Sequence, residues 1–181
     1  MQELEEGLDH IRQSPKNEGI LEMIVARPDV DEREVLKEAT LDVDKALIGD
    51  NWHVRPSSRT KDGSPHPDKQ LNIMNARAID LIADTKDRWK WAGDQLIVDL
   101  ELSDENLPAG TQLVIGDAII EVTALPHNGC KKFAQRFGVD AVKFVNSPIG
   151  KQLHLRGINA KVVKGGTIRE GDVVKKLNIE Y

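Results

Sequence analysis

At 181 residues, 39% hydrophobic and 30% charged, the chain is sized for one domain with a full apolar core and is too ordinary in composition for wholesale disorder. No apolar run nears the ~20 residues of a bilayer crossing, and the acidic opening Met1-Gln2-Glu3-Leu4-Glu5-Glu6 is the reverse of a secretory leader's basic start. The expectation is a cytoplasmic protein with no membrane segment.

One cysteine, Cys130, rules out an intrachain disulfide and a Cys-rich zinc site. The five histidines (His10, His53, His66, His127, His154) lack the close ligand spacings of zinc motifs, so no structural metal is expected. The net charge of −5 conceals a gradient. Residues 1–50 hold fourteen acids against six Lys or Arg, a balance of −8. Residues 123–168 hold eight Lys or Arg against Asp140 alone, a balance of +7. Such a local excess beside the only thiol reads either as an anion site or as a solvated basic face. Nucleic acid is not the expected partner, because no aromatic residues interleave with the basic ones.

In chain order, residues 1–17 end in the polar Ser14-Pro15-Lys16-Asn17 and read as an N-terminal arm, leaving 18–181 as a single domain. Gly19 to Ala26 has strand character, closed by Arg27-Pro28-Asp29. Glu34 to Thr40 fits a short helix or a strand equally. Gly49-Asp50 opens a turn-rich stretch through Asp68 with Pro56, Gly63, Pro65 and Pro67. Loops of that length in compact domains are functional or disordered. This one carries His53, Arg55, Arg59, Lys61 and His66, which suits a lid over a site.

Gln70 to Met74 reads as a strand, and Ala76 to Ala83 as a helix with Ala76, Ile79 and Ile82 on one side. Trp89 and Trp91 flank Lys90 and are expected to cover the core edge. Gln95 to Leu102 is a strand. The clearest strand pattern is 111–124, broken at Gly116-Asp117, with Ala118, Ile120, Val122 and Ala124 facing one way. After Pro126 a helical spacing places Phe133, Phe137 and Ala141 together, with Gly138 dividing it into two short helices. Residues 155–163 alternate, with Ile158, Ala160 and Val162 inward; Gly165-Gly166 reads as a hairpin turn, and Thr167-Ile168 and Val173-Val174 as short strands. Many short strands between Gly and Pro turns predict a mainly β fold, a barrel or sandwich.

The chemistry concentrates at Pro126-His127-Asn128-Gly129-Cys130-Lys131-Lys132. Cys130 is expected between a strand and a helix start, where unpaired backbone N–H groups favour a thiolate. Lys131 and Lys132 adjoin it, and His127 three residues earlier can stabilise the thiolate or exchange a proton. A reactive thiolate accepts sulfane sulfur or ligates a soft metal. The plain alternative is a buried core cysteine. Arg156 and Arg136 have the guanidinium geometry to clamp an anion, with Gly157 allowing close backbone approach, and Arg55 and Arg59 could close over the same ligand.

Three stretches, taken together, resemble one family. They are Gly49-Asp50-Asn51-Trp52, the Pro126–Phe137 segment with its cysteine, and Leu155-Arg156-Gly157-Ile158 running on to Gly165-Gly166-Thr167-Ile168-Arg169-Glu170-Gly171-Asp172. Over about residues 19–177 the chain looks like a free-standing, bacterial-type MOSC domain, named for the C-terminal domain of molybdenum-cofactor sulfurases. The resemblance implies a closed β-barrel with peripheral helices and a central cysteine, which falls on Cys130. In one group of the family the domain is a sulfur carrier, loaded by a pyridoxal-phosphate-dependent cysteine desulfurase partner and delivering to a molybdoenzyme. In the other it binds the molybdenum cofactor (molybdopterin), with the cysteine as molybdenum ligand, and reduces N-hydroxylated compounds with electrons from partners. By that resemblance the anionic pterin would meet Arg156, Arg136, Lys131, Lys132, Arg55 and Arg59. These 181 residues carry no second β-barrel, desulfurase region or iron–sulfur cysteine set, which leaves a third reading, an interaction module with an inert cysteine.

Overall fold

The computed structural model describes residues 1–177. Seven strands close into a barrel in the order β1 (Glu18–Ala26), β6 (Leu96–Asp99), β5 (Leu71–Asn75), β9 (Ile158–Lys164), β8 (Ala118–Val122), β7 (Gln112–Ile115) and β11 (Val173–Lys176). Closure is made by β11 pairing antiparallel with β1, Gly19 opposite Val174. The closed ring leaves these strands few free edges. Only β5 and β6 run parallel. A parallel pair needs a crossover, and α3 (Ala76–Ala83) with the 3₁₀ turns of Lys86–Ala92 provides it. Asn75 starts α3 by accepting from the Ala78 N–H at 2.9 Å, a side-chain N-cap.

The segment that fits helix or strand equally, Glu34 to Thr40, is two strands. β2 (Glu34–Leu36) extends β1, and β3 (Glu38–Asp42) joins β4 (Ala46–Leu47) and β10 (Gly166–Arg169) in a small second sheet. That pairing corrects the expected hairpin at Gly165-Gly166. β10 leaves β9 and pairs with β3, Thr167 opposite Thr40, because its partner lies far away in sequence. The 111–124 pattern is likewise not one strand but the β7–β8 hairpin, Val114 opposite Ile119. Ala118, Ile120 and Val122 are buried as the alternation predicts, whereas Ala124 lies beyond the strand and is exposed.

Two apolar clusters explain the strand sequences. Leu21, Ile24, Leu96, Val98, Leu113, Ile120 and Val162 fill the barrel. Met23, Val25, Met74 and Ile97 point outward, yet are buried under a helical layer with Ile79, Ile82, Phe133 and Phe144. β6 is therefore apolar on both faces, and its Leu-Ile-Val run does not alternate. Each fully buried Leu or Ile in these clusters is worth about 1.5–3 kcal/mol. The helical layer comprises α3, α4 (Lys131–Phe137), α5 (Val139–Asn146), α6 (Pro148–Gln152) and the N-terminal α1 (Gln2–Glu6) and α2 (Leu8–Arg12). α2 packs Leu8 and Ile11 into it, so residues 1–17 are docked. Gly138 at φ 92°, ψ 165° divides α4 from α5, the two-helix arrangement read from the sequence.

Candidate functional site

One end of the barrel opens into a cleft of about 380 Å³, within the usual range for small-ligand sites. Its walls come from the end of β1, the loop after it, the 51–57 turn, the start of α4 and the start of β9. Seven cationic side chains line it (Arg27, Arg33, Arg55, Lys69, Lys132, Arg136, Arg156), with only the two carboxylates Asp29 and Asp31.

Cys130 lies on this wall, exposed, at the N-terminal cap of α4. Its loop is pinned from three sides. Asn146 holds Gly129 by two hydrogen bonds, accepting from its N–H at 2.9 Å and donating to its carbonyl at 3.0 Å. Asn159 donates to the Leu125 carbonyl at 2.9 Å. His127 Nε2 meets Asp94 Oδ1 at 3.1 Å. The thiol is thus presented by a fixed loop rather than sunk among aliphatic groups. α4 is only seven residues long, so its dipole is short.

Arg156 is buried, with its Nη1 donating to Asp94 Oδ2 at 2.6 Å and its Nη2 to the Ala92 carbonyl at 2.9 Å. Its guanidinium carbon stands 4.8 Å from the centre of the Phe133 ring, a cation–π contact. Asp94 is fully buried. Burial alone would raise its pKa, but Arg156 and His127 outweigh that and hold it below the usual carboxylate range. His127 is pushed below its ordinary value by burial first and by Arg156 second, Asp94 only partly compensating. Both effects favour the neutral ring.

The opposite wall carries a second buried pair, Arg27 and Asp50, joined at 2.9 Å through both Nε and Nη2. Around it the cations crowd one another. Arg33 is lowered to about 10, by burial first and then by Arg136 and Arg27. Arg55 is lowered by burial and Arg27, and Lys69 by burial and Arg59. Arg33, Lys90 and Arg136 all stand within 6 Å of the Trp91 ring centre. Among the described residues four buried side-chain atoms lack a hydrogen-bond partner, and three of them (Arg33 Nε, Asn51 Oδ1, Arg156 Nε) belong to this cleft. Uncompensated positive charge and the two unpaired arginine N–H groups are the features an anionic ligand would relieve, whereas Asn51 Oδ1 needs a donor.

The structure therefore brings together Cys130, His127, Arg156, Arg136, Lys132 and Arg55 of the residues singled out from sequence. Lys131 and Arg59 are exposed and lie off the lining; α4 carries Lys131 out to solvent, and Arg59 sits on the outer turn of the long loop. That loop supplies Asn51, Trp52, Arg55, Pro56, Ser57 and His66 as a wall, while His53 and Lys61 face away. Gly157 is not part of the cleft lining. At φ +117° any Cβ there would strike the Ile73 carbonyl and come within 3.3 Å of both Asp94 Oδ1 and His127 Cδ2, so the glycine makes room for the Asp94–His127 contact. Sequence reasoning missed Arg27, Arg33, Lys69 and Asp94, and noted Asp50 only within the Gly49-Asp50-Asn51-Trp52 stretch, with no role for its carboxylate. The two buried carboxylates each follow a glycine, Gly49-Asp50 and Gly93-Asp94, which look like ordinary turns. Among the described residues no group of three His, Cys, Asp or Glu converges, and no helix is long and apolar enough to cross a membrane.

A profile of the MOSC domain matches residues 60–175. The YuaD protein from Bacillus subtilis has a similar solved structure, with TM-score 0.66 and 13% identity, covering 90% of this chain and 97% of that one. YiiM from Escherichia coli is also similar, with TM-score 0.57 and 18% identity, covering 89% of this chain and 71% of that one. At these identities the likeness is one of fold. No curated protein matches the sequence.

Proposed function

Because the chain belongs to the MOSC domain family, and so to molybdenum-cofactor biology, we propose that its cationic cleft binds the anionic pterin of that cofactor and that Cys130 is the working thiolate, accepting sulfur or ligating molybdenum. The observation that supports this reading most is the convergence of seven cationic side chains on the cleft that also holds the only cysteine. The residues present fit such a group. Arg33, Arg55 and Lys69 have like-charge crowding to relieve, and Arg33 and Arg156 hold unpaired nitrogens. A single protein thiolate suits a metal that arrives with most of its donors already in place. The bound cofactor would supply a redox-active metal–sulfur centre. This chain's own residues would anchor the anion, orient the ligand beside Cys130 and hold His127 neutral.

As a carrier, the Cys130 thiolate attacks the terminal sulfur of a persulfide on a cysteine desulfurase. A new S–S bond forms on Cys130, the old one breaks, and the partner leaves as a thiolate. The exposure of Cys130 suits such an exchange between proteins. One observation favours a second reading, a reductase of N-hydroxylated substrates. The buried Asp94–His127 pair can exchange protons at the cleft, and sulfur carriage alone does not require it.

The test is anaerobic purification of the whole chain, followed by metal analysis and intact mass. Molybdenum with a pterin, or one added sulfur lost on reduction, is expected for the wild type, and Cys130→Ala loses it. Equal metal, sulfur load and partner-dependent activity in Cys130→Ala would leave the inert-module reading standing instead.

A further inference from the structure

Asp94 divides its two oxygens between two side chains of the cleft wall. Oδ2 accepts from Arg156 Nη1 at 2.6 Å, and Oδ1 faces His127 Nε2 at 3.1 Å. A carboxylate ionised by its arginine can only accept. The imidazole nitrogen facing it must therefore carry the proton, and a neutral ring then has its lone pair on Nδ1. The ring's surroundings agree. Its Cδ2–Nε2 edge is set against Gly157 and Asp94. Nδ1 lies on the other side of the ring, makes no hydrogen bond among the described residues, and is not one of their buried unpaired atoms. It is open to the space His127 borders. That space is the cleft on one side and, on the other, a second cavity lined by Asn128, Lys151 and His154 among others.

We infer that Asp94 is a positioning residue that fixes His127 as its Nε2–H tautomer, so that Nδ1 is presented to the space the ring borders as a hydrogen-bond acceptor. The consequence concerns the ligand: a group that reaches Nδ1 has to offer it an N–H or O–H donor, beside whatever anionic group the arginines take. This rests on the reading of the cleft as the working site, but its test does not. Around the ring, Arg156 and Lys69 oppose protonation and Asp94 alone favours it, so the neutral form in which a tautomer is defined is the resident one.

Replacing Asp94 by Asn separates positioning from shape. Arg156 Nη1 would still need an acceptor and would take the amide oxygen, turning the amide NH₂ toward His127 Nε2. The ring would then have to accept at Nε2 and carry its proton on Nδ1, the tautomer inversion that follows when a buried carboxylate beside a histidine becomes an amide. Two-bond ¹H–¹⁵N correlation on the ¹⁵N-labelled full chain reads this directly, with His127→Gln assigning the resonance among the five histidines. The wild type is expected as Nε2–H, with Asp94→Asn shifted to Nδ1–H. A wild-type Nδ1–H ring, or an Asp94→Asn ring still Nε2–H, overturns the inference. Should Asp94→Asn fail to fold, the wild-type spectrum decides together with Arg156→Lys, which keeps the carboxylate and is expected to remain Nε2–H; a switched tautomer there overturns it. Because no readout uses molybdenum or sulfur, an Nε2–H ring in a protein that loads neither would sink the proposed function and leave this inference intact.

Discussion

The two buried arginine–carboxylate pairs of the cleft wall are built to different ends. Asp50 is saturated. It accepts from Arg27 through the backbone N–H, Nε and Nη2, from the Trp52 N–H at 3.1 Å, and from Gln95 at 3.3 Å. Arg27 spends its remaining nitrogen on the Gly93 carbonyl. Asp94 has two donors, and its arginine keeps an unpaired Nε. The saturated pair ties the end of β1 to the 50–52 turn and behaves as a structural clamp. The open pair connects a histidine to an arginine at the cleft and leaves valences for something else. A buried ion pair is informative less for its charges than for which of its hydrogen bonds are already taken.

The sharpest way to break the comparison is to delete each carboxylate. Asp50→Ala strands a buried guanidinium and removes the acceptor of three further donors, and should cost about 3–5 kcal/mol. Asp94→Ala should cost less, about 2–3 kcal/mol, because the cleft lets water reach part of what is left unpaired. Urea titrations of both variants measure the order, and a larger loss at Asp94 would reverse the assignment.

Next in size is the effect on anions. Arg33→Ala and Arg55→Ala should each weaken molybdate or phosphate binding about tenfold, or roughly 1.4 kcal/mol, in calorimetry. Relief of repulsion should leave their stability unchanged or higher. A variant that loses stability without losing anion affinity would make that arginine part of the clamp instead.

The pH dependence separates the two networks. His127 has its folded pKa below the ordinary 6.5. Its contribution is therefore complete above 6.5, where both states are neutral, and is lost as pH falls from there through the folded value, the unfolded chain taking up the proton first. Asp50 and Asp94 are both held below the ordinary 3.8, so their contributions persist above that value and disappear as pH falls through their folded pKa values. Stability should thus decline in two steps, and His127→Gln should remove the upper one while reducing Asp94's share of the lower. Urea midpoints from pH 8 to 3 test it, taken in the span of the ordinary His and Asp values. The smallest expectation concerns the two basic residues off the lining. Lys131→Ala and Arg59→Ala should each shift stability by less than about 0.5 kcal/mol and barely alter anion binding.

What the sequence revealed follows the distance over which the decisive contacts act. The two-helix break at Gly138 and the start and end of α3 rest on local spacing and were legible. Cys130, His127, Arg136 and Arg156 were legible because one basic run contains them all. Arg27 and Arg33 were not, since they sit among fourteen acids in the first fifty residues and only barrel closure carries them to the cysteine. The roles of Asp50 and Asp94 were hidden by their glycines, because a Gly-Asp pair has the same appearance whether its carboxylate meets water or a buried arginine. Gly165-Gly166 misled in the same way, a turn being local and the choice of strand partner not.

The pairing of Glu18 with Lys175 has a consequence for biogenesis. At translation speeds of about 5–20 residues per second, roughly 8–30 s separate the emergence of the first staves from that of the last. Throughout that interval Ile20 and Leu21 wait on the ribosome with their hydrogen-bonding edge uncovered. A nascent-chain chaperone has its clearest substrate there, and a stop codon before Val173 would release a sheet that lacks its closing strand.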